Sequence, residues 1–363
     1  MTVLGTRPEI IRLSRLIPLL DDAADHILVH TGQNYHPGLS DVFFEQLGVR
    51  EPDVYLGLRA ATFGEQVGAL FKEAERLLLS HRPDRLLVLG DTNSGLVSIV
   101  ARRLGVAVYH MEAGNRCYDD RVPEEINRRL IDHTSSILLP YTQRSMENLV
   151  REGIDRERIF VTGNPIKQVM DHHASAIGAT DVMRRMGLDN QRFLLATMHR
   201  AENVDVPDRL RAIIDALSRL HASSGFPVVC SLHPRTQARV EEFAIDIEMT
   251  GLQFVDPLGF FEFARLEQDA WCILSDSGTV QEEACLFGTP TVTIRDVTER
   301  PETLEAGSNM LSGVEPERIA EAATLVASER GSWRPPADYT KDNVAETVRR
   351  LVLGFRLPGR GHG

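Results

Sequence analysis

The chain has few cysteines, no long apolar run and a shortage of positive charge, and each deficit excludes a class of protein. Its four cysteines, Cys117, Cys230, Cys272 and Cys285, show no CxxC spacing. This leaves no basis for a disulfide framework and predicts buried, reduced thiols. No stretch approaches the roughly 18–20 apolar residues that cross a bilayer. The opening MTVLGTRPEI also lacks the basic-then-apolar order of a secretory signal. A soluble, cytoplasmic protein is expected. Lys and Arg number 40 against 52 Asp and Glu, a formal net charge of −12. That balance argues against a broad nucleic-acid or anionic-membrane surface, so any phosphate must be bound locally. Neither HExxH nor a Cys/His ligand spacing occurs among the 12 histidines, and no metal or cofactor is expected.

What is present is ordinary globular material, 363 residues with 42% hydrophobic and 25% charged, long enough for two cores. Short apolar runs alternate with helix-length segments: HILVHTG at 26–32, RLLVLGD at 85–91, VAVYHME at 106–112 and SILLPY at 136–141. They continue with RFLLATMH at 192–199, PVVCSLHP at 227–234, CILSDSG at 272–278 and PTVTIRD at 290–296. Such runs read as buried parallel strands with crossover helices, an α/β pattern. The polar stretch after IFVTGNP, at 159–165, marks a junction. It predicts a first domain over 1–167, a second over 168–345, and a helix with a frayed Gly-rich tail over 346–363.

In open parallel sheets, ligands bind beyond the carboxyl ends of the strands, and the polar clusters of this chain fall there. VLGTRPE at 3–9 runs from an apolar strand through Gly5 to Arg7 and a Pro suited to a helix start, a step fit for an anion. SDSGTVQEE at 275–283 ends a strand and begins a helix, so free N–H groups and the Ser277 hydroxyl suit a diphosphate. An ordinary helix cap at Asp276 or Ser277 reads equally well. A carboxylate one turn in, Glu282 or Glu283, stands at the height of ribose hydroxyls. GDTNS at 90–94 and MEAGN at 111–115 place Asp91 and Glu112 at strand ends, and VPEEINRR at 122–129 adds Glu124 and Arg128 at i, i+4. That spacing alone marks a surface ion pair. Three acids at the carboxyl-end loops of one domain, however, suit shared general acid and base work. MHRAEN and LHPRT put His199 and His233 after strands, beside Arg200 and Arg235.

Together GTRPE, GDTNS, HMEAGNR, VPEEINRR, TGNP, HRAEN, SDSGTVQEEA and RDVTERPE, in this order across essentially the whole chain, resemble the non-hydrolysing UDP-N-acetylglucosamine 2-epimerase family. The resemblance implies a glycosyltransferase-B-like α/β fold, two Rossmann-type domains facing across a deep cleft, in a homodimer that acts on a UDP-sugar. By motif position it implies proton-transfer roles for Asp91, Glu112 and Glu124, and a catalytic-site role for His199. UDP contacts fall on Arg7, Ser277, Gly278, Glu283 and Arg300, with Phe263 near the uracil. Arg128 falls on a further active-site position, and His233 is placed with the substrate-binding groups. Many members have Lys where this chain has Arg12, which changes the hydrogen-bonding fork but not the charge. The family loop tied to an activating second UDP-sugar here reads TGQNYHPG at 31–38, which argues against such activation.

The implied reaction converts UDP-N-acetylglucosamine to UDP-N-acetylmannosamine by eliminating UDP to a 2-acetamidoglucal and adding it back. The alternatives are a 2-epimerase of a UDP-N-acetyl-6-deoxyhexosamine such as the L-fucosamine type, a hydrolysing epimerase, or a glycosyltransferase of the same architecture.

Overall fold

The computed structural model describes residues 1–32, 37–58, 60, 62–232, 234–247 and 251–355. It divides into two compact units, one of Met1–Asp171 with the chain from Asp338 onward, the other of His172–Ala337.

The first unit carries six parallel strands: β1 (Thr2–Leu4), β2 (Leu28–His30), β3 (Val54–Tyr55), β4 (Arg85–Leu89), β5 (Ala107–Met111) and β6 (Ile137–Leu139). Their order is β3-β2-β1-β4-β5-β6. The second carries β7 (Leu194–Met198), β8 (Val228–Leu232), β9 (Leu252–Val255), β10 (Cys272–Ser275), β11 (Thr291–Thr293) and β12 (Asn309–Leu311), ordered β12-β11-β10-β7-β8-β9. Counted from its own first strand, each sheet has the order 3-2-1-4-5-6 of a dinucleotide-binding fold. The order reverses between β1 and β4 in one unit and between β7 and β10 in the other.

The central strands are the apolar runs read from the sequence, since helices cover both faces and leave no polar alternation. β4 and β5 pair from Arg85 with Ala107 through Leu89 with Met111, and all but their first residues are buried. Three strands at sheet edges, β3, β9 and β12, have no such run, because each is partly exposed. β6 is also an edge strand yet fully buried, shielded by a parallel bridge from Leu138 to Ile159.

The returning C-terminal segment is held to the first unit by ordinary bonds. Asn164 N donates to Asp338 O at 3.1 Å, Gln143 N to the Asp338 carboxylate at 3.1 Å, and Ala345 N to Gln168 Oε1 at 3.0 Å. Tyr109, on β5, donates its hydroxyl to Phe355 O at 2.6 Å.

Candidate functional site

In the first unit, β1 and β4 end side by side at the switch point, one running into Gly5 and the other into Gly90. Glu9, in the helix Arg7–Leu13, ties these ends together. It accepts from Gly5 N at 3.0 Å and from the hydroxyls of Thr6 at 2.7 Å and Thr92 at 3.3 Å. Burial pushes its pKa up to about 7, against the pull of those bonds. The T-x-x-E spacing of Thr6 and Glu9 was a legible sign of this knot. Arg7 is half-buried, its guanidinium 5.7 Å from the centre of the Phe43 ring, and burial lowers its pKa.

Glu112 follows β5 with φ +65°, a left-handed backbone that costs a non-glycine residue of order 1–3 kcal/mol. Its buried carboxylate pairs with Arg12, also buried, which lies 5.7 Å from the Tyr141 ring centre. Asp91 follows β4 and accepts from Arg128 Nε at 3.0 Å, while Arg128 Nη1 donates to Glu125 at 2.9 Å. The i, i+4 spacing directed attention to Glu124 as the partner of Arg128. Tertiary packing adds Asp91, from a strand end 37 positions away, and Glu125 lies one turn back. Glu125 also accepts the N–H groups of Cys117 at 3.0 Å and Tyr118 at 3.1 Å, fixing the loop after Glu112. Burial would raise its pKa, but these bonds and Arg128 hold it below the ordinary value. Glu124 itself is half-buried in the first turn of the helix Pro123–Thr134.

Behind this loop, His110 Nδ1 lies 2.9 Å from Asp132, and its Nε2 lies 2.8 Å from Gly90 O. Asp132 also accepts Gly114 N at 3.1 Å and pairs with Arg116 at 2.8 Å.

In the second unit, Ser277 is the N-cap residue of the helix Gly278–Phe287, but its hydroxyl makes no capping bond and lies 3.0 Å from that of Thr279. Asp276 does not cap this helix either; its carboxylate accepts from the N–H groups of His199 and Arg200. A Cβ at Gly278 would stand 2.5 Å from Glu299 Oε1, so that carboxylate would have to move to admit a side chain. Glu299 is itself 2.8 Å from Arg295 and 3.7 Å from Arg200. Arg300 and Glu282 form a buried pair. Of the two acids one turn in, Glu282 is therefore committed to arginine. Glu283 stands against the fully buried Glu267, whose pKa burial and the neighbouring charge push well above the ordinary value. Phe263 packs on the apolar cluster of Phe193, Leu195 and Ile273. His233 lies outside the described residues, as does part of the TGQNYHPG loop; Arg235 pairs with Asp205.

Among the described residues, no cluster of three or more His, Cys, Asp or Glu side chains has the arrangement to hold a metal ion.

Two doubly wound units, each with charged groups gathered where the strand order reverses, define an α/β protein of the nucleotide-binding class. The family model described as UDP-N-acetylglucosamine 2-epimerase matches residues 20–353, and the chain belongs to that family. It is 40% identical over 361 residues to a UDP-N-acetylglucosamine 2-epimerase of Methanocaldococcus jannaschii, covering 97% of this chain and 98% of the relative. A crystal structure of the M. jannaschii UDP-GlcNAc 2-epimerase in complex with UDP-GlcNAc and UDP matches with a TM-score of 0.92 at 38% identity, over 97% of this chain and 98% of that one. A UDP-2,3-diacetamido-2,3-dideoxy-D-glucuronate 2-epimerase of Pseudomonas aeruginosa is 39% identical over 327 residues, covering 89% of this chain and 90% of the relative. The glycosyltransferase WaaG shares the fold, with a TM-score of 0.60 at 13% identity over 98% of this chain and 99% of that one. The architecture is thus glycosyltransferase-B-like.

Proposed function

We propose that the chain is a non-hydrolysing 2-epimerase that interconverts UDP-N-acetylglucosamine and UDP-N-acetylmannosamine. The observation that carries the proposal is the pair of acids, Asp91 and Glu112, at the ends of adjacent strands β4 and β5, each set against a buried arginine. The hydrogen on carbon 2 of an N-acetylhexosamine has no adjacent carbonyl to acidify it. Its loss is therefore coupled to departure of UDP. The proton passes to a base, the C2–H electrons form a C1=C2 double bond, and the C1–O electrons leave with the β-phosphate. Addition reverses these steps with a proton delivered to the other face of carbon 2. Two faces require two proton carriers, a role for which Asp91, Glu112 and Glu124 are the candidates.

The second unit is assigned the nucleotide: the Ser277 hydroxyl and the Gly278 N–H at the start of the helix Gly278–Phe287 for the diphosphate, Glu283 for the ribose and Phe263 for the uracil. Arg7, Arg12, Arg128, Arg300 and His233 supply or support positive charge, and His199 completes the reacting groups.

Turnover in deuterated water, followed by proton NMR, tests the elimination. Deuterium is expected at carbon 2 of product and recovered substrate. Full protium retention would overturn the mechanism, and release of free N-acetylmannosamine with UDP would make the enzyme hydrolysing. The relative acting on a diacetamido-glucuronate supports a second reading of the sugar. The same assay with that UDP-sugar and with 6-deoxy UDP-sugars compares kcat/KM directly.

We also propose a cytoplasmic homodimer. Four buried, unbridged thiols suit a reducing compartment. Ile126 and Leu130, 49% and 45% exposed one turn apart on the helix Pro123–Thr134, offer an apolar stripe for a second copy. Light scattering is expected to give twice the chain mass, and Ile126→Asp with Leu130→Asp to halve it.

A further inference from the structure

β7 and β10 are neighbours, with Thr197 level with Ser275, so the residues that follow them leave the sheet side by side. Asp276 has no exposed surface. Its two oxygens accept from His199 N at 3.1 and 3.0 Å, and one of them also accepts from Arg200 N at 3.0 Å and Asn203 Nδ2 at 3.2 Å. Asn203 is anchored in turn by donating to Ile294 O at 2.9 Å. Asp276 Oδ1 lies 3.2 Å from Nδ1 of the His199 ring, a side chain that remains 36% exposed. Every one of these partners sits on or near the turn after β7, and none belongs to the helix that Asp276 precedes.

We infer that Asp276 is the positioning residue for His199: it shapes the turn that carries the ring and holds the proton on Nδ1, so that Nε2 is the nitrogen presented to the UDP-sugar. The inference deepens the reading under Proposed function and rests on it for the role of His199. A carboxylate behind one ring nitrogen sets the tautomer and orientation of an imidazole whose other nitrogen works. Here the same carboxylate also binds the two main-chain N–H groups at the base of the ring, so orientation and tautomer are set by one group.

Ring 15N NMR of the histidine-labelled enzyme, at a pH where the ring is neutral, reads the tautomer. The His199 signals are assigned by their loss in His199→Gln. Nδ1 is expected to carry the proton, and a proton on Nε2 would overturn the inference. Asp276→Asn is expected to lower kcat by about 10² or more while KM for the UDP-sugar stays within about threefold. Added to His199→Gln it is expected to cost no more than about a further twofold, because the two side chains act as one unit. A near-normal kcat in Asp276→Asn, or losses that multiply in the double variant, would overturn it too. Should Asp276→Asn fail to fold, the wild-type tautomer decides. An inactive wild type with the proton on Nδ1 would count against the epimerase reading and leave the Asp276–His199 pairing standing.

Discussion

Glu112→Gln is expected to cut epimerisation by about 10² or more, the scale of a lost general acid or base, and to lower the melting temperature as well. The second effect comes from Arg12. Both side chains of this pair are almost wholly buried, 3% and 5% exposed, so a neutral amide removes a negative charge that faces the buried guanidinium. Removing one member of a buried ion pair costs up to about 3–5 kcal/mol, and a Gln that still accepts a hydrogen bond will cost less than that limit. Asp91→Asn should lose a comparable factor in rate with a smaller loss of stability, since Arg128 keeps Glu125 at 2.9 Å and Asp91 is 22% exposed. Glu124→Gln, in a half-buried first-turn position, should lose rate and keep its melting temperature. Steady-state rates and thermal unfolding of the three variants give both orders. Near-normal rates in all three would remove the acids from the mechanism, and a destabilised Glu124 variant beside an intact Glu112 variant would contradict the packing argument.

The largest structural effect is expected from Gly114→Ala. Gly114 has φ +82°, and a Cβ there would stand 2.2 Å from Ser145 O and 2.8 Å from Leu149 Cγ. The nearest obstacle is main chain in the helix Gln143–Arg151, which cannot rotate aside as a side chain can. Either that helix shifts or the loop from Glu112 to Tyr118 does. The bond from Gly114 N to Asp132 and the one from Asn148 Nδ2 to Gly114 O, 3.0 Å, hold the loop in place. A loss of stability above about 4 kcal/mol is expected, in the range of the exceptional point mutations, together with loss of turnover through displaced Glu112. Gly153→Ala is the control: φ is +84° but nothing lies within 4 Å of the added carbon. It should show only the left-handed backbone cost of about 1–2 kcal/mol. Thermal unfolding of both variants checks the difference, and equal losses would mean that the close approach to Ser145 is relieved cheaply.

Much of the fold was readable because the central strands are buried on both faces and so appear as unbroken apolar runs. Val54–Tyr55, Leu252–Val255 and Asn309–Leu311 escaped because partly exposed edge strands need no such run. The positions of the charged groups were readable for a related reason. Asp91, Glu112, His199 and Asp276 each come directly after a run, and a parallel sheet places all its carboxyl ends on one edge.

Partnership was not readable, since it depends on which strand ends become neighbours. Spacing along the Pro123–Thr134 helix says nothing of Asp91, which reaches Arg128 only because β4 and that helix meet. Asp276 looked like a cap from its place before a helix, and became the acceptor for His199 and Arg200 once β10 lay beside β7. The sequence by itself determined the two parallel α/β halves, the absence of any membrane-length apolar run and which strand ends carry acids or histidines, because these follow from local composition and period. The tertiary structure alone decided which arginine meets which acid, which glycines have no room for a methyl group and which carboxylate holds the His199 turn. Those are contacts between segments far apart in the chain, and only the order of strands in the sheet brings them within hydrogen-bond distance.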